Sequence, residues 1–78
     1  MNKSRYTLRY QQMLTALRAA RKQAGLTQTQ VGKKFRAHAS FVSKIESGER
    51  RIDVIELDEF CRIYGVSLTE FLKSALVQ

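Results

Sequence analysis

Apolar residues along this chain recur at intervals of three and four positions, the spacing that places side chains on one face of an α-helix. Tyr10, Leu14 and Leu17 share such a face, and Val31 with Phe35 follow the same rule further along. No stretch alternates between apolar and polar positions with period two, so the pattern predicts no strand. It predicts an all-α fold with five helices, over about residues 10–24, 28–35, 39–46, 54–64 and 68–76.

Glycines and short polar side chains mark where these helices end and begin. Glycine tolerates the left-handed conformation that commonly follows a helix, and glycines stand at positions 25, 48 and 65. Three pairs have the spacing of a capping box, in which each side chain binds a backbone N–H at the start of a helix: Thr27 with Gln30, Asp53 with Glu56, and Ser67 with Glu70. The connections are short, so we expect one compact five-helix bundle over residues 10–78.

The second and third predicted helices are separated by residues 36–38 alone, the arrangement of a helix-turn-helix over about residues 28–46. In this motif the first helix packs closely on the second, which projects into a DNA major groove. Gly32 suits such packing, because its minimal side chain lets two backbones approach. The exposed face of the third helix carries small and polar residues that leave room for base edges: Ala39, Ser40, Ser43 and Lys44, with Phe41 near its start.

The charge of the chain is unevenly distributed. The net charge is +7, but residues 1–51 carry twelve Lys and Arg against two acids, whereas residues 52–78 carry two against five. A basic part beside an acidic end indicates one surface for a polyanion such as nucleic acid, although charge for solubility alone is the plainer alternative. With one cysteine and one histidine, the chain lacks the residues for a disulfide framework or a zinc cluster. We expect no enzyme, no cofactor and no transmembrane helix, and a cytoplasmic location.

The region around this motif resembles a known family. The run LRAARKQAGLTQTQVGKKFRAHASFVSKIESGERR is similar to the Xre/Cro-type helix-turn-helix of phage repressors and bacterial regulators, and LDEFCRIYGVSLTEFL resembles that family's last two helices. The resemblance covers about residues 14–72. It implies a lambda-repressor-like bundle that binds DNA operators, commonly as a homodimer.

The same resemblance implies roles for individual residues. Ala39, Ser40 and Ser43 fall at base-reading positions, and Phe41 adjoins them. Gln28 corresponds to a residue that binds a phosphate beside a helix N-terminus. Contacts to the DNA backbone are implied for three more residues, namely Lys44, Arg50 and Arg51. Arg21 and Glu46 correspond to a structural ion pair between the first and third helices.

Three residues depart from the family pattern. Arg36 stands where the family usually has glycine, so either a left-handed residue there costs about 1 kcal/mol or the turn differs. A contact from Arg36 to a nearby phosphate is the alternative reason for this residue. His38 replaces the usual Ser or Thr at the start of the third helix, so its cap is expected to be weaker or differently made. Ala39 replaces a frequent long polar reader, so specificity would rest more on Ser40, Ser43 and DNA shape.

The N-terminal residues 1–9 are basic and precede the first apolar stripe, so they form either an arm or an extension of the first helix. Lys3, Arg5 and Arg9 suit a solvated tail better than a minor-groove contact, and Tyr6 suits the core and base stacking equally. Cys61 lies on the apolar stripe of the fourth helix, where it is expected to pack rather than react.

These observations favour a sequence-specific, DNA-binding transcriptional regulator, most simply a repressor on a palindromic operator. The alternative is an antitoxin or controller subunit that acts mainly through a protein partner such as a toxin, with the apolar C-terminal end as its surface: Leu68, Phe71, Leu72, Leu76 and Val77. A membrane-active basic peptide is disfavoured by the capped multi-helix pattern. The family resemblance implies a homodimer through the fifth helix and the C-terminus. Without a second domain, no small-molecule effector is expected.

Overall fold

Five helices and no strand make up residues 7–76, the part of the chain that this computed structural model describes. They are α1 (Leu8–Gln23), α2 (Gln28–Lys34), α3 (Ala39–Glu46), α4 (Val54–Tyr64) and α5 (Leu68–Leu76). The all-α, five-helix prediction is therefore confirmed. The predictions made for Lys3, Arg5, Tyr6 and Val77 concern residues outside the described range.

Helix α1 begins two residues earlier than its apolar stripe predicted, because Thr7 caps it. The Thr7 backbone is extended, and its Oγ1 accepts a hydrogen bond from the Tyr10 N–H at 3.1 Å. Leu8 and Arg9 consequently belong to the helix. At the other end, α1 and α2 each stop one residue before the predicted position, at Gln23 and Lys34.

The capping residues behave largely as the sequence predicted. In the capping boxes of α2 and α4, both reciprocal hydrogen bonds between side chain and backbone are present. They join Thr27 with Gln30 and Asp53 with Glu56. At α5, the Glu70 N–H donates to Ser67 Oγ at 3.0 Å. Each of these contacts satisfies a backbone N–H that the first turn of a helix leaves without a partner, so it fixes where the helix begins.

The core lies where α1 packs against α3, α4 and α5. Its buried apolar residues come from every helix: Met13, Leu14, Leu17, Val31, Val42, Ile45, Leu57, Phe60, Cys61, Tyr64, Phe71 and Ala75. Cys61 is fully buried among them, as expected, and burial raises the pKa of its thiol. The more exposed apolar residues of α5 also pack against this core, namely Leu68, Leu72 and Leu76.

The most exposed large apolar side chains lie outside α5. Val54 and Ile55, in the first turn of α4, are 61% and 71% exposed, and within residues 7–76 Leu8 and Val66 are exposed as well. Across residues 7–76, every helix is too short or too polar to span a lipid bilayer.

Candidate nucleic-acid interface

The turn between α2 and α3 requires the glycine at position 32. A Cβ on Gly32 would lie 3.0 Å from the Ala37 carbonyl oxygen and 3.1 Å from that of His38. The turn backbone thus folds directly over Gly32, and the Ala37 N–H donates to the Gly32 carbonyl at 2.8 Å. The close approach inferred from the sequence is present, although the backbone that approaches is that of the turn rather than of α3 itself.

Arg36 adopts the left-handed conformation within this turn, with φ of 56°. For a residue with a side chain this conformation costs about 1–2 kcal/mol. The chain therefore holds a strained residue at the point that decides the angle between α2 and α3. The Arg36 side chain is exposed.

His38 supplies an unusual cap for α3. Its Nδ1 accepts a hydrogen bond from the Ser40 N–H at 3.1 Å, and Ser40 Oγ lies 3.2 Å from the same nitrogen. Accepting from a backbone N–H requires that Nδ1 carry no proton, so the cap depends on the neutral ring with its proton on Nε2. The cap is therefore differently made, as the departure from Ser or Thr had suggested.

The predicted base-reading residues occupy the first turns of α3. Ser40 is exposed, whereas Ala39 and Ser43 are half-buried, and Ser43 Oγ donates to the Ser40 carbonyl at 3.2 Å. The opposite side of α3 is held in the core by Val42 and Ile45, both fully buried. One face of α3 is thus fixed, and the other carries hydroxyl groups.

Phe41 has two environments. Its ring packs against Phe35, with centroids 5.2 Å apart, and stacks nearly parallel to Phe60 at 6.2 Å. The Arg50 guanidinium carbon lies 4.9 Å from the Phe41 ring centroid. The ring therefore links the core to an arginine for which the family resemblance implies a contact with the DNA backbone.

Glu46 is the buried charge of the interface region. Arg21 Nε donates to Glu46 Oε2 at 2.7 Å and Arg21 Nη2 to Oε1 at 3.2 Å, so the ion pair expected between α1 and α3 is present. Gln28 Nε2 donates to Glu46 Oε1 at 3.0 Å, and Arg18 Nε lies 3.6 Å from the same oxygen. Arg21 Nη1 also donates to the Leu26 carbonyl at 2.9 Å, which ties α1 to the connection before α2.

These neighbours keep the Glu46 carboxylate charged. Burial alone raises the pKa of Glu46, but hydrogen bonds from Arg21 and Gln28 and the positive charges of Arg21 and Arg18 lower it by more. The resulting pKa lies below the ordinary value of a glutamate. Gln28, predicted to bind phosphate, has its amide group directed at this carboxylate.

Arg50 and Arg51 lie in the segment between α3 and α4, and both are exposed. Arg50 donates to both carboxylate oxygens of Glu56, at 3.1 and 2.9 Å. This hydrogen bonding raises the pKa of Arg50. The Arg51 guanidinium lies over the Tyr10 ring, 4.8 Å from its centroid. Lys44, at the last turn of α3, is exposed as well, and its carbonyl accepts from the Arg50 N–H at 3.0 Å.

Several contacts of these residues were not apparent from the sequence. The capping-box spacing of Glu56 indicated its bond to the Asp53 backbone but not its second role as the partner of Arg50. Nothing in the spacing indicated that Tyr10, 42 residues before Ile52, accepts a hydrogen bond from the Ile52 N–H at 3.2 Å. Such contacts depend on how α1 crosses the other helices.

The fold and this site define a helix-turn-helix DNA-binding domain. Comparison with family models agrees: a helix-turn-helix model matches residues 17–71, more than half of the chain. The protein belongs to the Cro/C1-type, Xre-like helix-turn-helix family of DNA-binding transcription regulators. Searches of curated proteins and of solved structures gave no significant match.

Proposed function

We propose that this protein is a sequence-specific repressor that places α3 in the major groove of a palindromic operator and binds it as a homodimer. The proposal is carried by one observation. Helix α3 is anchored by Val42, Ile45 and Glu46 on its buried side and presents Ser40 and Ser43 on the other.

The charges around α3 support binding to the DNA backbone. Exposed cations stand at the turn before α3, at its last turn and in the segment after it: Arg36, Lys44, Arg50 and Arg51. Phosphate contacts position a protein on the duplex but carry no sequence information, whereas side chains that reach base edges supply it. Ser40 and Ser43 can pair with several base edges, and Ala39 with a thymine methyl group. Gln28 would bind a phosphate beside the N-terminus of α2 once its amide turns from Glu46.

A second copy of the chain is the expected partner on DNA, because one small module makes few contacts and two-fold symmetry doubles them. The exposed Val54 and Ile55 favour a dimer contact at the first turn of α4. A contact along α5, which the family resemblance implied, is less favoured because most of its apolar side chains pack against the core. The same packing weakens the case for an antitoxin or controller subunit that uses this end. A cytoplasmic, nucleoid-associated location follows from the proposed activity.

The test is selection of bound fragments from a random duplex library by the full chain, at about 150 mM salt, where non-specific phosphate binding is weak. Enrichment of an inverted repeat, with half-sites about one helical turn apart, is the expected result. Retention without enrichment would contradict sequence-specific binding. Absence of retention would contradict DNA binding and direct attention to protein partners.

Matched variants distinguish the residues that read the base sequence from those that contact phosphates and position the protein on the DNA. Ser40→Ala and Ser43→Ala should change which bases are enriched while leaving the affinity for unrelated DNA unchanged. The double variant Arg50→Ala, Arg51→Ala should weaken binding to all sequences and reduce the salt slope by about 2, because each phosphate contact contributes about 0.9 to that slope. If all four substitutions leave binding unchanged, α3 is not the reading element.

A further inference from the structure

Two serines on the side of α3 opposite its buried residues use, within the protein, the one hydrogen that each hydroxyl can donate. A serine hydroxyl carries a single O–H donor and two lone pairs that accept. Ser43 Oγ donates its hydrogen to the Ser40 carbonyl oxygen at 3.2 Å. The Ser43 oxygen is therefore left with lone pairs, and it can meet a further group only as an acceptor.

The contact between His38 and Ser40 has the same effect on the second hydroxyl. The Ser40 backbone N–H, which can only donate, lies 3.1 Å from His38 Nδ1, so this nitrogen carries no proton and accepts. Ser40 Oγ lies 3.2 Å from the same nitrogen. Two acceptor atoms at this distance would repel each other, so the Ser40 hydroxyl directs its hydrogen at Nδ1. The Ser40 oxygen, like that of Ser43, is then an acceptor.

Base edges in the major groove differ in whether they donate or accept. Adenine and cytosine present amino groups that donate, whereas the exocyclic oxygens of guanine and thymine only accept. A serine with a free hydrogen binds either kind of group, but a serine that can only accept is restricted to the amino groups. Phosphate oxygens are excluded as its partners for the same reason, because they too only accept.

We propose that α3 reads DNA as a hydrogen-bond acceptor, so that Ser40 and Ser43 bind amino groups of adenine or cytosine, with His38 as the positioning residue that gives Ser40 this role. The inference rests on the proposed function and narrows it, since serine as such pairs with several base edges. It gives His38 a second task beside capping α3. Replacement of His38 must therefore change which bases are bound, and not only how stable the helix is.

Removal of single groups from a synthetic operator tests the direction of the hydrogen bond. The duplex is the sequence that the full chain enriches from the random library, and the base pair read by Ser40 is the one whose preference is lost with Ser40→Ala. One analogue removes the amino group of that pair, and another removes the exocyclic oxygen of the opposite base. Dissociation constants are measured at about 150 mM salt and at about pH 8, above the range in which a free imidazole changes charge.

Loss of the amino group is expected to weaken binding of the unaltered chain about three- to tenfold, the size of one hydrogen bond. With Ser40→Ala the same analogue should have no such effect, because the substitution and the analogue remove two ends of one bond. Loss of the exocyclic oxygen should affect both proteins equally. Comparing the two proteins on the same duplex cancels any effect of an analogue on the DNA itself.

Two variants of His38 test its positioning role at matched cap strength. Glycine and asparagine are both accepted at the start of a helix, but only asparagine supplies an oxygen that can accept from Ser40. Exchange of adenine for guanine, or of cytosine for thymine, puts an oxygen where the amino group stood. This exchange should weaken binding about tenfold for the unaltered chain and for His38→Asn, and less than about threefold for His38→Gly, in which Ser40 is free to donate.

The base pair read by Ser43 is the internal control, because its hydroxyl is held by a carbonyl rather than by His38. It is identified in the same way with Ser43→Ala, and His38→Gly should leave its exchange penalty unchanged.

Three outcomes overturn the inference. They are coupling of Ser40 to the exocyclic oxygen instead of the amino group, no base pair that depends on Ser40, and an equal exchange penalty in His38→Gly and His38→Asn. If the unaltered chain enriches no sequence, the proposed function fails instead. Thermal unfolding by circular dichroism identifies a variant that does not fold, and the comparison of the unaltered chain with Ser40→Ala then still decides whether the serine accepts.

Discussion

Two arginine–glutamate pairs flank the C-terminal end of α3, and they have the same chemistry in opposite surroundings. In the pair of Arg21 with Glu46, the side chains are 11% and 1% exposed and the shortest contact is 2.7 Å. In the pair of Arg50 with Glu56, they are 43% and 22% exposed and the shortest contact is 2.9 Å. If contact distance alone decided, the two pairs would contribute equally to stability.

Burial separates their roles. A buried charge must keep an opposite charge beside it, so Glu46 cannot lose Arg21 without a large cost. An exposed pair contributes little because water replaces either partner. Arg21 and Glu46 therefore act as a structural joint between α1 and α3, whereas Arg50 can exchange Glu56 for a phosphate.

Breaking the buried pair is expected to have the largest effect. Glu46→Gln keeps the size of the side chain but leaves Arg21 without its carboxylate, so the free energy of unfolding should fall by about 3–5 kcal/mol, as for other buried pairs that lose one partner. Urea unfolding followed by circular dichroism measures the change. Asp58→Asn, which breaks the exposed pair with Arg62, is the control and should change the free energy of unfolding far less.

The pH dependence of stability gives a second test of the buried pair. The pKa of Glu46 is lower in the folded protein than in the unfolded chain, so its stabilising effect is complete above the unfolded value and is lost as pH falls through the folded value. Stability should therefore decline in acid, below the ordinary pKa of a glutamate. Glu46→Gln should reduce the steepness of that decline, and an unchanged acid dependence would contradict the assignment.

Breaking the exposed pair should change DNA binding more than stability. Glu56→Gln preserves an oxygen that can accept from the Asp53 N–H, so the capping box of α4 survives and the free energy of unfolding should change by ~1 kcal/mol or less. Arg50 then loses a competitor for phosphate, and removal of ~1 kcal/mol of competition strengthens DNA binding about fivefold. Titration of a labelled duplex at fixed salt measures this.

Asp58→Asn again provides the control, since it removes the same charge from α4 without releasing Arg50. If both variants strengthen binding equally, the effect of Glu56 is one of overall charge rather than of competition for Arg50. A weaker affinity for Glu56→Gln would mean that Glu56 orients Arg50 for DNA.

The contrast between the two pairs also shows how much of the structure could be predicted from the sequence. Helix number and caps follow from spacing over a few residues, which is why the capping boxes at Thr27 and Asp53 were predictable. The early start of α1 was one of two alternatives that the sequence left open for residues 1–9, because Thr7 caps the helix with no acidic or amide residue three positions later. The family resemblance, and not the spacing, led to Arg21 with Glu46.

The remaining contacts of the site depend on packing between distant segments. Arg50 reaches Glu56 and Phe41 only because the segment after α3 turns back over the start of α4. Tyr10, in the first turn of α1, meets Ile52 although 42 positions separate them in the sequence. The base-reading roles of Ala39, Ser40, Phe41 and Ser43 stay predictions, as do the phosphate roles of the basic residues and Gln28.

The smallest expected effect concerns Tyr64, whose electrostatic neighbours include both Arg21 and Glu46. Within residues 7–76, its buried hydroxyl has no hydrogen-bond partner, and burial together with the Glu46 charge raises the pKa of Tyr64. A buried donor without a partner opposes folding, so Tyr64→Phe should leave the free energy of unfolding unchanged or raise it by up to ~1 kcal/mol. Thermal and urea unfolding measure this, with Tyr10→Phe as the matched control, because that hydroxyl does accept a hydrogen bond and its removal should destabilise. A loss of more than ~1 kcal/mol from Tyr64→Phe would show that this hydroxyl belongs to the polar network of the buried pair, and that the joint between α1 and α3 extends into α4.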